Sequence, residues 1–234
     1  MKYSIVVPIY NEEKNIPKMI RKVHAALRKN KIKYELIFVD DDSQDNSVKI
    51  FKKNKNQFSK IIIRTEKPRD LSRSVVYGFN RSKYNNLIVM DGDLQHNPND
   101  LLKLVNTYEK FKCDLVIGSR KLNNYKKVNL NPIRFYFSRL LNFVFNFLFK
   151  EKIMDPMSGF FLIKKKIYLE SRKSLVLVGY KILIDIILSA RKRLYIKEVA
   201  INFKERNKGF SKMRPKILMQ LIFFLTIKFI KYDR

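Results

Sequence analysis

Between residues 3 and 118, short apolar, β-prone runs alternate with stretches of helical length, and this alternation limits the architectures open to the chain. Tyr3–Ile9, Glu35–Val39, Ile61–Ile63, Leu87–Met90 and Asp114–Gly118 read as strands. Asn11–Asn30, the stretch after Ser43, Leu71–Arg81 and Leu101–Phe111 read as helices, with Ser43 placed to cap the second and Asp45 in its first turn. The pattern implies an α/β fold with a mostly parallel central sheet flanked by helices. In such sheets ligands gather at the carboxyl ends of the strands. Tyr10, Asp41, Asp91 and Asp93 all fall at those ends, so one shared cleft is expected.

The fourth run leaves the core at Asp91-Gly92-Asp93. Two carboxylates one residue apart at a strand tip repel each other and resist ionisation unless something sits between them. Mg²⁺ or Mn²⁺ removes the conflict, because either suits a site with few carboxylates that shares its ligands with substrate phosphates. Gln95 adds a neutral oxygen on the far side of the turn. The plainer alternative is an acidic turn that only ends a strand.

A chain of 234 residues buries one substantial core. Its 50 Lys+Arg against 21 Asp+Glu give a net charge of +29, which suits a polyanionic partner: nucleic acid, an anionic membrane face or a phosphorylated substrate. A composition rich in Lys, Asn, Ile and Phe explains scattered lysines equally well. Clustered arginines carry more weight, since guanidinium binds phosphate bidentately. A nucleic-acid-binding module is disfavoured, because the basic residues are spread along the chain and the acids at the strand ends would repel a phosphate backbone. The single Cys113 allows no internal disulfide, and the N-terminus MKYSIVVPIYNEE runs straight into a strand without the pattern of a signal peptide.

After Gly118 the character changes. Pro132–Phe149 reads as a long aromatic helix carrying Arg134, Ser138 and Arg139, followed by the turn Asp155–Gly159 and a strand over Phe160–Ile163. Tyr180–Arg191 is expected to be helical, Tyr195–Phe203 a strand, and Arg214–Tyr232 a final apolar helix. Within it Ile217–Ile230 is interrupted by Gln220, Thr226 and Lys228 and falls short of the ~20 apolar residues of a membrane span. Lys216, Lys228, Lys231 and Arg234 suit a helix lying in the headgroup layer; packing on the protein's own core is the alternative. One domain over 1–213 and a C-terminal amphipathic, membrane-interfacial segment over 214–234 are expected.

Taken in order, VVPIYNEEKNI, VDDDSQDNS, PRDLSRSVVYGF, MDGDLQHNP, GSR, DPMSGF, GYKILIDI and FKERNKGFSK resemble the family-2 glycosyltransferases. More narrowly they are similar to the branch of dolichyl-phosphate mannosyltransferases and polyprenyl-phosphate glycosyltransferases. The resemblance covers about residues 3 to 213, and GSR, SGF, GYK and RxxGxSK are its most specific parts. Two departures stand out: Asp42, where the family usually has Gly, and Asp185, where Glu is more usual.

The resemblance implies a GT-A-like nucleotide-sugar-binding fold and metal-dependent, inverting transfer of a hexose, mannose ahead of glucose, from a nucleotide-sugar such as GDP-mannose to a polyprenyl phosphate. It implies Asp91, Asp93 and Gln95 as the metal-binding set, with Pro8, Tyr10, Glu12, Val39, Asp41 and Gly92 along the nucleotide. A metal there would absorb charge on the departing diphosphate. Arg120, with Arg134 and Ser138 on one helical face, would hold the acceptor phosphate, and Arg206 and Lys212 would close over the donor phosphates. Tyr180 and Lys181 would line the acceptor side. A lipid phosphate has a second pKa of about 6 and needs no base to become a nucleophile. A glycan, lipopolysaccharide or protein hydroxyl would need one, and Asp155 is then the candidate. Peripheral attachment to the cytoplasmic face of a membrane follows from a lipid-linked acceptor.

Overall fold

The structure is a computed structural model that describes residues 1–120, 122, 153–179, 181–203, 224 and 226–228. Seven strands form one sheet: β1 (Lys2–Ile9), β2 (Lys33–Asp40), β3 (Ser59–Ile63), β4 (Asn86–Val89), β5 (Leu115–Ser119), β6 (Phe161–Lys164) and β7 (Ile196–Ala200), in the order β3-β2-β1-β4-β6-β5-β7. Every pairing is parallel except those of β6, which runs antiparallel between β4 and β5. The first half is thus the alternating arrangement that the sequence implies. The reversed strand is what the apolar pattern of Phe160–Ile163 could not reveal, since alternation carries no direction.

Helices cover both faces. On one, α1 (Ile16–Lys29) and α4 (Leu101–Phe111) bury Met19, Val23, Leu104 and Val105 against Tyr3, Ile5 and Val7 of β1. On the other, α3 (Leu71–Asn80) and α6 (Ile182–Ser189) bury Val75, Phe79, Leu183 and Ile186 against Val6, Ile37 and Val39. Two buried faces explain why these strands read as continuous apolar runs. Gly78 lets α3 lie on the sheet, for a Cβ there would come within 2.5 Å of Val6 Cγ1. The remaining helices are α2 (Ser47–Asn54) and α5 (Lys165–Ser171), the latter not marked by the sequence pattern.

Several boundaries move for identifiable reasons. Helix α1 begins at Ile16, not Asn11: Asn11 has φ 56°, and residues 11–13 are tied instead to the loop after β2, with Ser43 Oγ accepting from the Asn11 N–H and Asp45 from the Glu13 N–H. Ser43 is therefore not the cap of α2, which starts at Ser47, and Asp45 precedes the helix instead of sitting in its first turn. Helix α6 and strand β7 are shorter than the runs Tyr180–Arg191 and Tyr195–Phe203. The aromatic stretch Pro132–Phe149, with Arg134, Ser138 and Arg139, lies outside the described residues.

The described part of the C-terminal segment turns a face to the protein's own core. Phe224 and Lys228, one helical turn apart, are both buried, whereas Thr226 is exposed. Lys228 is thus not a headgroup-facing cation: its ammonium pairs with Asp185 at 2.6 Å and donates to the Ser174 carbonyl at 2.8 Å and Ser189 Oγ at 2.5 Å. Asp185 also accepts from the Val176 and Leu177 N–H groups, and so joins α6, the loop before it and the final segment. Among the described residues no helix is long and apolar enough to cross a membrane. Removing one partner of a buried ion pair leaves the other charge uncompensated. Lys228→Met should therefore cost about 3–5 kcal/mol in urea unfolding, and adding Asp185→Asn, which keeps the acceptors for Val176 and Leu177, should restore part of it. A single-variant cost below ~1 kcal/mol would show that the pair does not hold the segment in place.

Candidate active site

The turn after β4 owes its course to two glycines. A Cβ on Gly92 would lie 2.7 Å from Ile9 Cγ2 and 3.1 Å from the Pro8 carbonyl, so only glycine lets the acidic turn pass against the end of β1. The second, Gly159, comes from the loop before β6. A Cβ there would lie 2.7 Å from both carboxylate oxygens of Asp91. Because β6 is antiparallel, with Phe161 opposite Val89 and Ile117, its leading residues arrive at the same edge as the trailing residues of β4 and β5. Gly159 thereby leaves the space that the Asp91 carboxylate fills. Within the turn Leu94 has φ 61° and Asp93 Oδ1 accepts from the Gln95 N–H at 3.0 Å, which closes the turn.

His96 underlies this turn. Its ring stacks on Phe160 at 5.1 Å and meets Phe203 at 5.2 Å, and Nδ1 lies 3.4 Å from the Asp91 nitrogen and 3.6 Å from Asp91 Oδ2. Burial, then the nearby Arg120 charge, lowers its pKa to about 4, so the ring is neutral at pH 7. With Nδ1 accepting from the Asp91 N–H, the proton belongs on Nε2, a buried atom with no hydrogen-bond partner among the described residues.

Arg120 stands just past β5 on the same edge. Its Nε and Nη2 hold the two oxygens of Asp155 at 2.8 and 2.7 Å, its backbone N–H adds a third bond at 3.1 Å, and its guanidinium lies 5.4 Å from the Phe203 ring. Asp155 is 1% exposed and Arg120 30%, so the carboxylate is enclosed while the cation stays partly exposed. Glu198 on β7 accepts from the Met154 and Asp155 N–H groups, and Ser158 Oγ donates to the Gly118 carbonyl at 2.7 Å; together they fix the DPMSGF loop to β5 and β7. Phe203 lies between His96 and Arg120 and so joins the acidic turn to the cation.

At the other end of the edge the predicted nucleoside residues divide. Tyr10 is exposed and Glu12 half-buried, but Pro8 and Val39 are buried, Val39 beneath Gly78 of α3. Asp41 is buried too, with Oδ1 bound to Arg64 and Oδ2 accepting from the Asp70 N–H at 2.8 Å. Arg134, Ser138, Tyr180, Arg206 and Lys212 lie outside the described residues. Lys181 is buried, its ammonium without a hydrogen-bond partner among the described residues, and burial lowers its pKa to about 8. Nothing local in the sequence marks the Arg64–Asp41 and Arg120–Asp155 pairs or the role of Gly159; only the Ser-Gly step before an apolar run marked that glycine as a turn.

A mostly parallel sheet with acids, glycines and a clamped arginine along its carboxyl edge defines a GT-A-type α/β protein. The chain belongs to glycosyl transferase family 2, whose profile matches residues 4–171. It is 31% identical over 224 residues to a dolichol-phosphate mannosyltransferase of Pyrococcus furiosus, an alignment covering 95% of this chain and 62% of that protein. It is 33% identical over 233 residues to the dolichol-phosphate mannosyltransferase of Saccharomyces cerevisiae, covering 95% and 85%. The chain thus spans less than two thirds of the Pyrococcus protein's length. Among solved structures, glucosyl-3-phosphoglycerate synthase from Mycobacterium tuberculosis in complex with Mn²⁺ and UDP-glucose superposes with a TM-score of 0.73 at 17% identity, covering 97% of this chain and 78% of that one. At that identity the likeness is one of fold.

Gly159→Ala tests the cradle directly. A methyl 2.7 Å from both Asp91 oxygens must displace that carboxylate. A Mn²⁺ titration followed by electron paramagnetic resonance should show affinity at least roughly tenfold weaker, of the size seen when groups orienting a metal ligand are lost, with thermal unfolding little changed. Wild-type Mn²⁺ affinity in this variant would remove Gly159 from the site.

Proposed function

We propose that the protein transfers a hexose, mannose ahead of glucose, from a nucleotide-sugar to a polyprenyl phosphate, with inversion at the anomeric carbon. The names of the two relatives support the acceptor and the sugar. The Mn²⁺ and UDP-glucose held by the mycobacterial synthase support a nucleotide-sugar donor with a divalent cation, Mg²⁺ or Mn²⁺. Asp91, Asp93 and Gln95 offer hard oxygen donors that fit such a cation, and Gly159 keeps the room that the first of them occupies. When bound, the cation supplies neutralising charge for a leaving diphosphate.

The observation that carries the acceptor is the state of Asp155. Both of its oxygens hold Arg120, and it is enclosed. A carboxylate so occupied is poorly placed to take a proton from a sugar or protein hydroxyl, whereas an acceptor phosphate needs cations and no base. Arg120, held by Asp155 and partly exposed, is such a cation, and its charge-assisted bonds to that carboxylate fix it before the substrates arrive. Orientation of donor and acceptor along this edge then supplies most of the acceleration.

Asp91→Ala and Asp93→Ala should each lower transfer to polyprenyl phosphate by roughly 10²–10³-fold or more, the scale of losing one electrostatic stabiliser, and the wild type should lose activity with a chelator. Turnover that survives both would discard the mechanism; transfer to sugar hydroxyls but not to polyprenyl phosphate would discard the acceptor.

A lipid-borne acceptor also brings the protein to a bilayer, peripherally and from the cytoplasmic side, where anionic headgroups meet a net charge of +29. The described part of the C-terminal segment buries Phe224 and Lys228, so contact with lipid falls to its other faces. Flotation with phosphatidylserine-containing liposomes should carry the protein upward at low salt and lose it as salt rises. No association at low salt would exclude a peripheral enzyme.

A further inference from the structure

The nucleoside positions that the family resemblance implies lie where β1 and β2 end, and the polar groups accessible there are not the ones that residue type suggests. Asp41 has one oxygen on Arg64 and the other on the Asp70 N–H, and its side chain is 9% exposed. Asp42, the next residue, is 34% exposed and has φ 61°, a left-handed conformation that Asp tolerates better than most residues. Glycine would suit that backbone better, so the carboxylate is an addition at a glycine-like position. Its Oδ2 takes Lys67 Nζ at 2.5 Å and Arg69 Nη2 at 2.9 Å, while Oδ1 accepts from none of the described residues. Arg69 donates further to the Asp42 carbonyl at 3.1 Å and to the Tyr10 hydroxyl at 3.2 Å, and its guanidinium lies 4.8 Å from the centroid of the Tyr10 ring. An exposed ring, a guanidinium and a carboxylate are therefore fixed side by side.

We propose that Arg69 and Asp42 read the nucleobase of the donor, selecting a lactam base, guanine ahead of uracil. This rests on the nucleotide-sugar reading and gives the base its recognising residues. A guanidinium donor beside a carboxylate acceptor matches a carbonyl next to a ring N–H, the edge that guanine and uracil share. Adenine and cytosine present the reverse, an amino group beside an unprotonated ring nitrogen. Guanine adds an exocyclic amino group beside its ring N–H, so one carboxylate can accept from both. Arginine's planar fork and aromatic stacking make Arg69 suited to lie along a base held against Tyr10. Asp42 acts both on the base and through Arg69, which it holds in place.

Isothermal titration of the full chain with GDP, UDP, ADP and CDP in the presence of Mn²⁺ tests this. GDP should bind most tightly and UDP next, with ADP and CDP at least about tenfold weaker than GDP, within the range of one bidentate base contact. Arg69→Ala and Asp42→Gly should each reduce the GDP-to-ADP preference by about tenfold, and Asp42→Gly relieves the left-handed backbone, so it should fold. Asp42→Asn, which offers an amide donor, should raise the relative affinity for ADP and CDP. Variants that weaken all four nucleotides by one common factor, or none of them, would overturn the base assignment and leave the nucleotide-sugar reading standing. A wild-type protein that binds none of the four would overturn both.

Discussion

The antiparallel course of β6 is the constraint on which the candidate site depends. Were that strand parallel to its neighbours, the residues before it would leave from the opposite edge of the sheet, and Gly159, Ser158 and Asp155 would lie far from the acids. Inserted backwards between β4 and β5, it delivers the DPMSGF loop to the carboxyl edge. Two contacts follow at once: the missing side chain of Gly159 makes room for Asp91, and Asp155 reaches Arg120. The sheet thus presents strand ends from its parallel part and a strand beginning from its reversed part to the same cleft.

That arrangement also resolves an electrostatic problem. Asp155 is enclosed, and a buried charge without a partner is costly. The fork of Arg120 and its backbone N–H, three N–H···O contacts in all, hold those oxygens, while the Arg120 side chain stays partly exposed. Glu198 holds the backbone on the far side of Asp155 through the Met154 and Asp155 N–H groups. A bidentate pair of this kind is worth less as a source of stability than as a fixture of direction. It sets where one positive charge points before any anion comes near.

All seven strands and five of the six named helices were legible, shifted boundaries aside, and the first five strands most clearly, because burial on both faces of a parallel sheet writes continuous apolar runs that each end in a polar exit. Pairings between distant residues were not. Asp155 reads as a candidate base because it is a carboxylate at a loop, and nothing local says that Arg120, 35 positions earlier, will occupy it. Asp41 reads as a nucleoside contact, yet Arg64 and the Asp70 N–H take both of its oxygens. Lys228 looks like one of several interfacial cations until Asp185 is seen to bury it. Ser43 fits a helix cap by type, but the left-handed Asn11 brings its own N–H to that hydroxyl first. In each case the residue type was right for more than one partner, and tertiary proximity chose.

His96 shows how far the edge is arranged to hold charge still instead of moving protons. A histidine beside a carboxylate at a strand end invites a role in proton transfer. Here the ring stacks on Phe160 and meets Phe203 at a tilt, and its pKa of about 4 keeps it neutral. Protonating it would place a second positive charge near Arg120, which is one of the two causes of the lowered value. His96 therefore serves as an uncharged strut that carries the position of the Asp91 turn to Phe203, and through Phe203 to the guanidinium of Arg120. Asp155 and Asp41 are meanwhile bound to arginines, and His96 is held neutral. Such an edge suits a nucleophile that arrives already ionised, and a phosphate on the end of a lipid is one.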